Sequence, residues 1–213
     1  MILEIGVGTG VVALGLRRRG RRVLGLDLSF PMLSRARGRL GPVVACSDAM
    51  EMSVATASVA HAVSVWVMPS VAQPVPLFHE AARVIQPRGR YVVCATQDPA
   101  PDDYVGQIIS EMSVRADVRR ATPRPRRVSV DEVLDWAGEA GFTGTIHQLE
   151  RQWVSSPRDE LSAIAHRSWP AMRELDEAAI DEVTGPAIEA LRALPQTESL
   201  RRAVAEMVVF ERP

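Results

Sequence analysis

The chain has 213 residues, 46% of them apolar and 24% charged, and a net charge of −1. This is the profile of a soluble globular domain long enough to bury a core without disulfide or metal staples. It offers no overall field for nucleic acid or an anionic membrane. All 25 basic residues are arginine, and lysine and asparagine are absent. Lysine Schiff-base chemistry is therefore excluded. The bias is that of a GC-rich, bacterial genome, so the arginine runs at 17–22 and 124–127 carry little weight as nucleic-acid signals.

Strand and helix signals alternate from the first residues. Ile2–Ile5 reads as a short buried strand, and Gly6, Gly8 and Gly10 follow it. The next helix runs through Val12, Leu14 and Leu16 to Arg17–Arg19, with Gly20 as its stop. Residues 22–27 form a second strand. A helix follows with Ser29 as N-cap and Pro31 in its first turn. A third strand is expected at 42–48, a fourth at 60–68, a helix at 76–85 and, after a Pro87–Gly89 turn, a fifth strand at 90–96. Apolar strands alternating with helices predict a parallel sheet covered on both faces. Cys46 and Cys94 lie in strand-like runs without metal spacing and read as buried thiols of a reducing compartment.

From 97 to 128 the chain turns polar and proline-rich, with a short helical piece inside. Ser129 and Glu132 make a capping box for a helix that ends near Gly141. Residues 143–154 read as a sixth strand. Ser156 and Pro157 start a helical stretch, broken at Trp169-Pro170 and at Gly185-Pro186, and 202–210 reads as a final strand. No basic leader precedes an apolar stretch, and no uncharged apolar run is long enough to span a membrane, so a cytoplasmic location is expected.

A glycine turn between a strand and a helix lets the backbone approach a ligand at the helix N-terminus. Here the spacing is Glu4-x-Gly6-x-Gly8-x-Gly10, and Asp27 closes the second strand where a ribose-binding carboxylate belongs. A dinucleotide fingerprint would want a glycine at Val11, which counts against a nicotinamide-dependent oxidoreductase. For the glycines and Asp27 the structural alternatives are a tight turn and a helix cap; for Asp48 the alternative is an ordinary loop carboxylate.

The stretches LEIGVGTG, GLDLSFPMLSRAR, SDAMEM and LFHEAARVIQPRGRYVV, in that order over residues 2–96, resemble the motifs of class I S-adenosylmethionine-dependent methyltransferases, especially the type 11 branch. The resemblance implies an α/β, Rossmann-like sheet of seven strands in the order 3-2-1-4-5-7-6. Its last strand would be antiparallel, with helices on both faces and a helical insertion between strands six and seven. The chain then divides as one methyltransferase domain: a cofactor half at 1–96, a substrate-side half at 97–154, a helical insertion or lid at 155–201 and the final strand at 202–213. The cofactor implied is S-adenosyl-L-methionine. Gly6, Gly8 and Gly10 would line its methionine part, and Glu4 would hold the loop and the amino group. Asp27 would take the ribose hydroxyls, Leu28 and Met32 would lie near the ribose or adenine, and Asp48 and Ala49 would meet the adenine edge.

The sequence departs from that pattern in several places. His61 stands where an aspartate often opens the fourth strand, and reads as structural. Pro87-Arg88-Gly89 replaces a Pro-Gly-Gly turn. Relatives carry a covering helix before the first strand, and the expectation is a chain truncated at its N-terminus. Trp66-Val67-Met68-Pro69 occupies the place of the Asn or Asp, Pro-Pro and aromatic motif of base- and amide-nitrogen methyltransferases. Together with the charge, this points to a small-molecule acceptor, with no nucleic-acid or membrane partner. Trp66 would wall the pocket or simply pack the core. No metal is implied and no catalytic base is selected; His147 and His166 are the only candidates, and nothing singles out Tyr104 or Trp169. Leu161, Ile164, Trp169, Met172, Leu175 and Ile188 would form an acceptor lid, a homodimer interface or an extension of the core. The rival to the enzyme is a non-catalytic protein of the same fold that binds the cofactor weakly.

Overall fold

The computed structural model describes residues 1–119, 128–167, 172 and 175–212. Trp169 and the 124–127 arginine run lie outside the described residues. The strands are β1 (Ile2–Ile5), β2 (Val23–Asp27), β3 (Val44–Cys46), β4 (Val59–Val65), β5 (Ile85–Pro99), β6 (Thr143–Ser155) and β7 (Ser199–Glu211). They form one sheet in the order β3-β2-β1-β4-β5-β7-β6, as expected. β1 through β5 pair in parallel. β7 runs against β5, since Gly89 O accepts from Arg212 N–H at 3.1 Å while Ala100 N–H donates to Arg202 O at 2.9 Å.

The helices are α1 (Val11–Arg18), α2 (Phe30–Leu40), α3 (Pro74–Val84), α4 (Tyr104–Val118), α5 (Val130–Glu139), α6 (Pro157–Ala165) and α7 (Glu177–Ala193). The chain resolves into two compact units. The first comprises 1–96, 125–147 and 206–213, and the second 97–124 and 148–205.

Two apolar clusters hold the first unit. Leu3, Ile5, Val59, Ala62, Leu77, Phe78, Val93 and Val133 belong to the larger one, joining β1, β4, β5, α3 and α5. Its centre is an aromatic quartet of Phe78, Tyr91, Phe142 and Phe210, with ring centroids such as Phe78–Tyr91 at 5.6 Å and Phe142–Phe210 at 5.8 Å. Buried aromatic pairs of this geometry add about 0.5–1.5 kcal/mol each beyond their area. The Tyr91 hydroxyl and Ser64 share a buried hydrogen bond of 2.7 Å, which satisfies both. The smaller cluster packs α1 and α2 on β2 and β3 through Val7, Ala13, Val23, Leu33, Ala36, Leu40 and Val44.

Several local expectations are corrected. The Pro87–Gly89 turn lies inside β5, where the β4–β5 register slips between Val59↔Ile85 and His61↔Arg90. Arg88 there takes a φ of 64°, and a Cβ on Gly89 would come within 2.4 Å of Ala60 O, so the bulge fixes a glycine at that point. His61 accepts from the Arg90 N–H at 3.2 Å, a structural contact as expected. Cys94 is buried but Cys46 is exposed, because β3 is an edge strand of three residues. Ser29 occupies the N-cap position of α2 without a side-chain cap bond.

The second unit has its own core. α4 spans 15 residues, longer than the short piece expected. Val105, Met112 and Ala116 of α4 pack with Ile164, Met172, Leu175, Ile180, Val183, Ala187 and Leu191. The expected break at Gly185-Pro186 is absent, and α7 runs through it. Pro186 forfeits one ladder bond, and the buried face of α7 against α4 offsets that loss. The capping box at Ser129 forms as read, Ser156 and Asp159 make a second one at the start of α6, and Asp103 and Asp176 cap α4 and α7.

Candidate functional site

The site grows from the turn between β1 and α1. Gly6, Gly8 and Gly10 all adopt positive φ, at 72°, 52° and 81°, a conformation that costs other residues roughly 1–2 kcal/mol. Each glycine has its own reason. A Cβ on Gly6 would stand 2.4 Å from Val67 Cγ2, and one on Gly10 would stand 2.8 Å from Leu40 Cδ1. Around Gly8 nothing lies within 4 Å. Two glycines therefore let the loop pack closely, while the third presents bare backbone to open space.

Asp27, at the end of β2, ties this loop down. Its Oδ2 accepts the Gly8 N–H at 2.7 Å and its Oδ1 accepts the Ser29 N–H at 2.8 Å. The first bond spans 19 residues and holds the glycine turn against the neighbouring strand. Arg39 of α2 adds contacts of 2.9 Å to the carbonyl and hydroxyl oxygens of Thr9. A carboxylate offers about four acceptor positions, so Asp27 keeps acceptor capacity after both bonds are made.

Beneath the loop lies Glu4, 2% exposed within β1. One side of its carboxyl meets the Ala13 N–H in the first turn of α1. The other oxygen, Oε2, is buried with no hydrogen-bond partner. Burial pushes the Glu4 carboxyl up to about 7, against the lowering effect of the Ala13 bond and with a smaller push from Asp27. An orphaned buried oxygen is costly, and such groups mark functional positions.

Around the same ends of β1, β2 and β4 stand exposed apolar side chains: Val11 at 63%, Leu28 at 67%, Phe30 at 74%, Met32 at 40% and Trp66 at 52%. Of these, Val11 and Phe30 had no assigned part, since nothing in the local pattern shows that a helix-initial apolar residue faces water. Trp66 has φ 56° and is anchored by its N–H to Cys94 O at 2.9 Å. The core-packing alternative for Trp66 is set aside by this exposure. Asp48 accepts the Met50 N–H at 2.8 Å in the turn after β3, and Ala49 packs on the edge of the larger core.

The second unit gathers a different set. Arg201, 3% exposed, donates to Asp103 at 2.6 Å, to Ser155 at 3.0 Å and to Glu160 at 3.2 Å, and it lies over the Trp153 ring. Asp103 also receives the Gly106 N–H at 2.8 Å. A cavity of about 270 Å³ next to this cluster is lined by Tyr104, Val105, Pro157, Leu194 and Leu200, among others. His147 is exposed, and His166, also exposed, bonds the carbonyl of Ser162 in its own helix at 2.8 Å. Leu161, Ile164, Met172, Leu175 and Ile188 all pack into or against this unit's core. Among the described residues no cluster of histidine, cysteine and carboxylate side chains is placed to hold a metal, and no helix is long and apolar enough to cross a membrane.

Comparison with known proteins converges on one fold. Residues 3–93 match the family model described as a methyltransferase domain. Over 92 residues the chain is 38% identical to the biotin biosynthesis bifunctional protein BioHC of Cellvibrio japonicus, covering 42% of this chain and 18% of that protein. Over 98 residues it is 31% identical to the demethylmenaquinone methyltransferase of Corynebacterium kroppenstedtii, covering 46% of this chain and 42% of the other. The chain thus spans less than half the length of these curated relatives. Among solved structures, a Bacillus halodurans protein (BH2331) described as a methyltransferase superposes with a TM-score of 0.63 at 17% identity, over 100% of this chain and 92% of that one. A Haemonchus contortus phosphoethanolamine N-methyltransferase, crystallised with phosphomonomethylethanolamine and S-adenosylhomocysteine, superposes with a TM-score of 0.59 at 19% identity, over 100% of this chain and 49% of that one.

Proposed function

We propose that this chain, a member of the class I S-adenosylmethionine-dependent methyltransferases, transfers a methyl group from S-adenosyl-L-methionine to a small-molecule acceptor. The residues around the β1–α1 turn fit that cofactor. The orphaned Oε2 of Glu4 is a buried acceptor in want of a donor, and an α-ammonium group is one. Gly8 offers backbone that a ligand can approach without meeting a side chain. Asp27 has lone pairs left for the ribose hydroxyls, each such charge-assisted bond contributing about 1.5–3 kcal/mol. Leu28 and Met32 supply apolar surface beside the ribose or adenine, and Asp48 and Ala49 address the adenine edge.

When bound, S-adenosyl-L-methionine supplies an electrophilic methyl group on a sulfonium centre. The chain's own residues orient, desolvate and hold charge. Glu4 fixes the amino end and Asp27 fixes both the loop and the sugar. In-line methyl transfer needs mainly proximity and alignment, with a base only where the acceptor must lose a proton. No side chain is assigned as that base.

The acceptor class rests on the residues after β4. Trp66 and Met68-Pro69 stand in place of the polar motif used for planar nitrogens, and Trp66 is half exposed. The observation that carries the cofactor reading is the buried, unpartnered Glu4 oxygen directly below the turn that Asp27 holds. Incubation with methyl-labelled S-adenosylmethionine and a fractionated metabolite extract tests the activity. Label is expected in the small-molecule fraction. S-adenosylhomocysteine binding without label in any fraction would instead support a non-catalytic protein of the same fold.

A further inference from the structure

We propose that the exposed face formed by α1 and α2 is a docking surface for an acidic protein. Residues 5–47 carry eight arginines, at 17, 18, 19, 21, 22, 35, 37 and 39, against a single carboxylate, Asp27, which is engaged with Gly8 and Ser29. All eight arginines are exposed. None forms an ion pair with any described carboxylate; Arg17, Arg19 and Arg39 instead bond the carbonyls of Leu40, Gly15 and Thr9. Two runs that are separate in sequence meet in space because α1 and α2 pack on each other through Leu14, Leu16, Leu33, Ala36 and Leu40.

Helix-end electrostatics explains part of this. Arg17 and Arg18 fall in the last turn of α1, and Arg37 and Arg39 in the last turn of α2, where cations offset the helix dipole. It does not explain Arg21, Arg22 and Arg35, nor a face bare of carboxylates. A codon preference for arginine over lysine would not remove acidic residues from one segment and leave them on the others. Five of the eight arginines lie on α1 and α2 and three in the connection that follows α1, and a net of +7 over residues 5–47 is a built charge asymmetry.

The rest of the chain decides what kind of partner fits. Outside residues 5–47 there are 17 arginines and 25 carboxylates, a net of −8. A nucleic-acid strand or an anionic bilayer is larger than the patch and would extend over surface of its own sign. A compact folded protein with one acidic face need not. Guanidinium groups also pair bidentately with carboxylates, which suits glutamate and aspartate side chains on a partner. Such patch-to-patch complementarity sets association rate and specificity more than raw affinity.

Fluorescence anisotropy with a labelled helical peptide of about 20 residues, rich in glutamate, tests the surface at low salt. Comparison ligands are an oligouridylate of similar length and phosphatidylglycerol vesicles. The wild-type chain is expected to bind the peptide in a salt-dependent way and more tightly than either comparison ligand. The combined Arg18→Glu, Arg22→Glu, Arg35→Glu, Arg37→Glu variant should bind at least tenfold more weakly, and the glutamine version of the same four should lose less. Thermal midpoint and S-adenosylhomocysteine affinity should stay as in the wild type, and the glutamine version preserves the test if the glutamate version misfolds. Absence of peptide binding, equal binding by the variants, or preference for the oligouridylate or the vesicles would each overturn the proposal.

Discussion

Replacing Glu4 by glutamine tests the electrostatics of the site apart from catalysis. The Glu4 carboxyl is raised from 4.5 to about 7 by burial. The folded chain therefore holds this proton more tightly than the unfolded chain does. Stability from this group is fully present below about pH 4.5 and is lost as pH rises through about 7. At 1.36 kcal/mol per unit, the loss is at most about 3 kcal/mol. Glu80, Asp159 and Glu177 are shifted the other way, below the ordinary carboxylate range, so their contributions change at more acid pH. Urea unfolding of the wild type and Glu4→Gln between about pH 5 and pH 8 thus reads Glu4 by difference. The wild type should lose stability across that window, and Glu4→Gln should lose markedly less. Binding of a cofactor ammonium needs the ionised carboxylate. Affinity for S-adenosylhomocysteine should accordingly rise up to about tenfold per pH unit toward pH 7 and level off above it, a dependence absent in the variant. Parallel stability slopes for the two proteins would refute the assignment of a buried, proton-holding Glu4.

Three further outcomes follow from the packing. Gly6→Ala should destabilise the fold outright, because its Cβ meets Val67, whereas Gly8→Ala should cost only its backbone strain of roughly 1–2 kcal/mol and chiefly weaken S-adenosylhomocysteine binding; thermal melts with and without ligand separate the two. Arg201→Met removes one partner of a buried pair with Asp103, with an expected loss of about 3–5 kcal/mol measured by denaturant unfolding. Met172→Ala should cost about 2–5 kcal/mol from the α4–α7 core while leaving S-adenosylhomocysteine affinity within about threefold by calorimetry.

How much of this was legible depended on whether the cause was local. The strand order came with the resemblance over residues 2–96, whereas the glycine turn and the acid after β2 were readable because turn glycines, strand length and helix stops are properties of short stretches. The reasons for Gly6 and Gly10 were not, since Val67 and Leu40 reach them only in three dimensions. Asp27 was read as a ribose carboxylate, and its bonds to the Gly8 and Ser29 N–H groups, which tie the glycine turn to the end of β2, needed the fold to be seen. The α7 helix defeated the Pro186 signal because tertiary burial outweighed one lost backbone bond. The arginine run at 17–22 was discounted as codon bias because the sequence does not show that α1 and α2 pack on each other. Of the apolar positions read as a lid, a dimer interface or an extension of the core, Ile164, Met172 and Leu175 are buried in a core of the second unit, and helical periodicity alone does not choose among those three.

We assign the β1–α1 turn, held by Asp27 over Glu4, as a cofactor site. Calorimetric titration of S-adenosylhomocysteine into the wild type and into Asp27→Ala measures it directly. Binding by the wild type is expected, with affinity roughly tenfold to a hundredfold weaker in the variant, the loss of one charge-assisted contact together with the Gly8 tether. Equal affinities, or no heat of binding in the wild type, would contradict it.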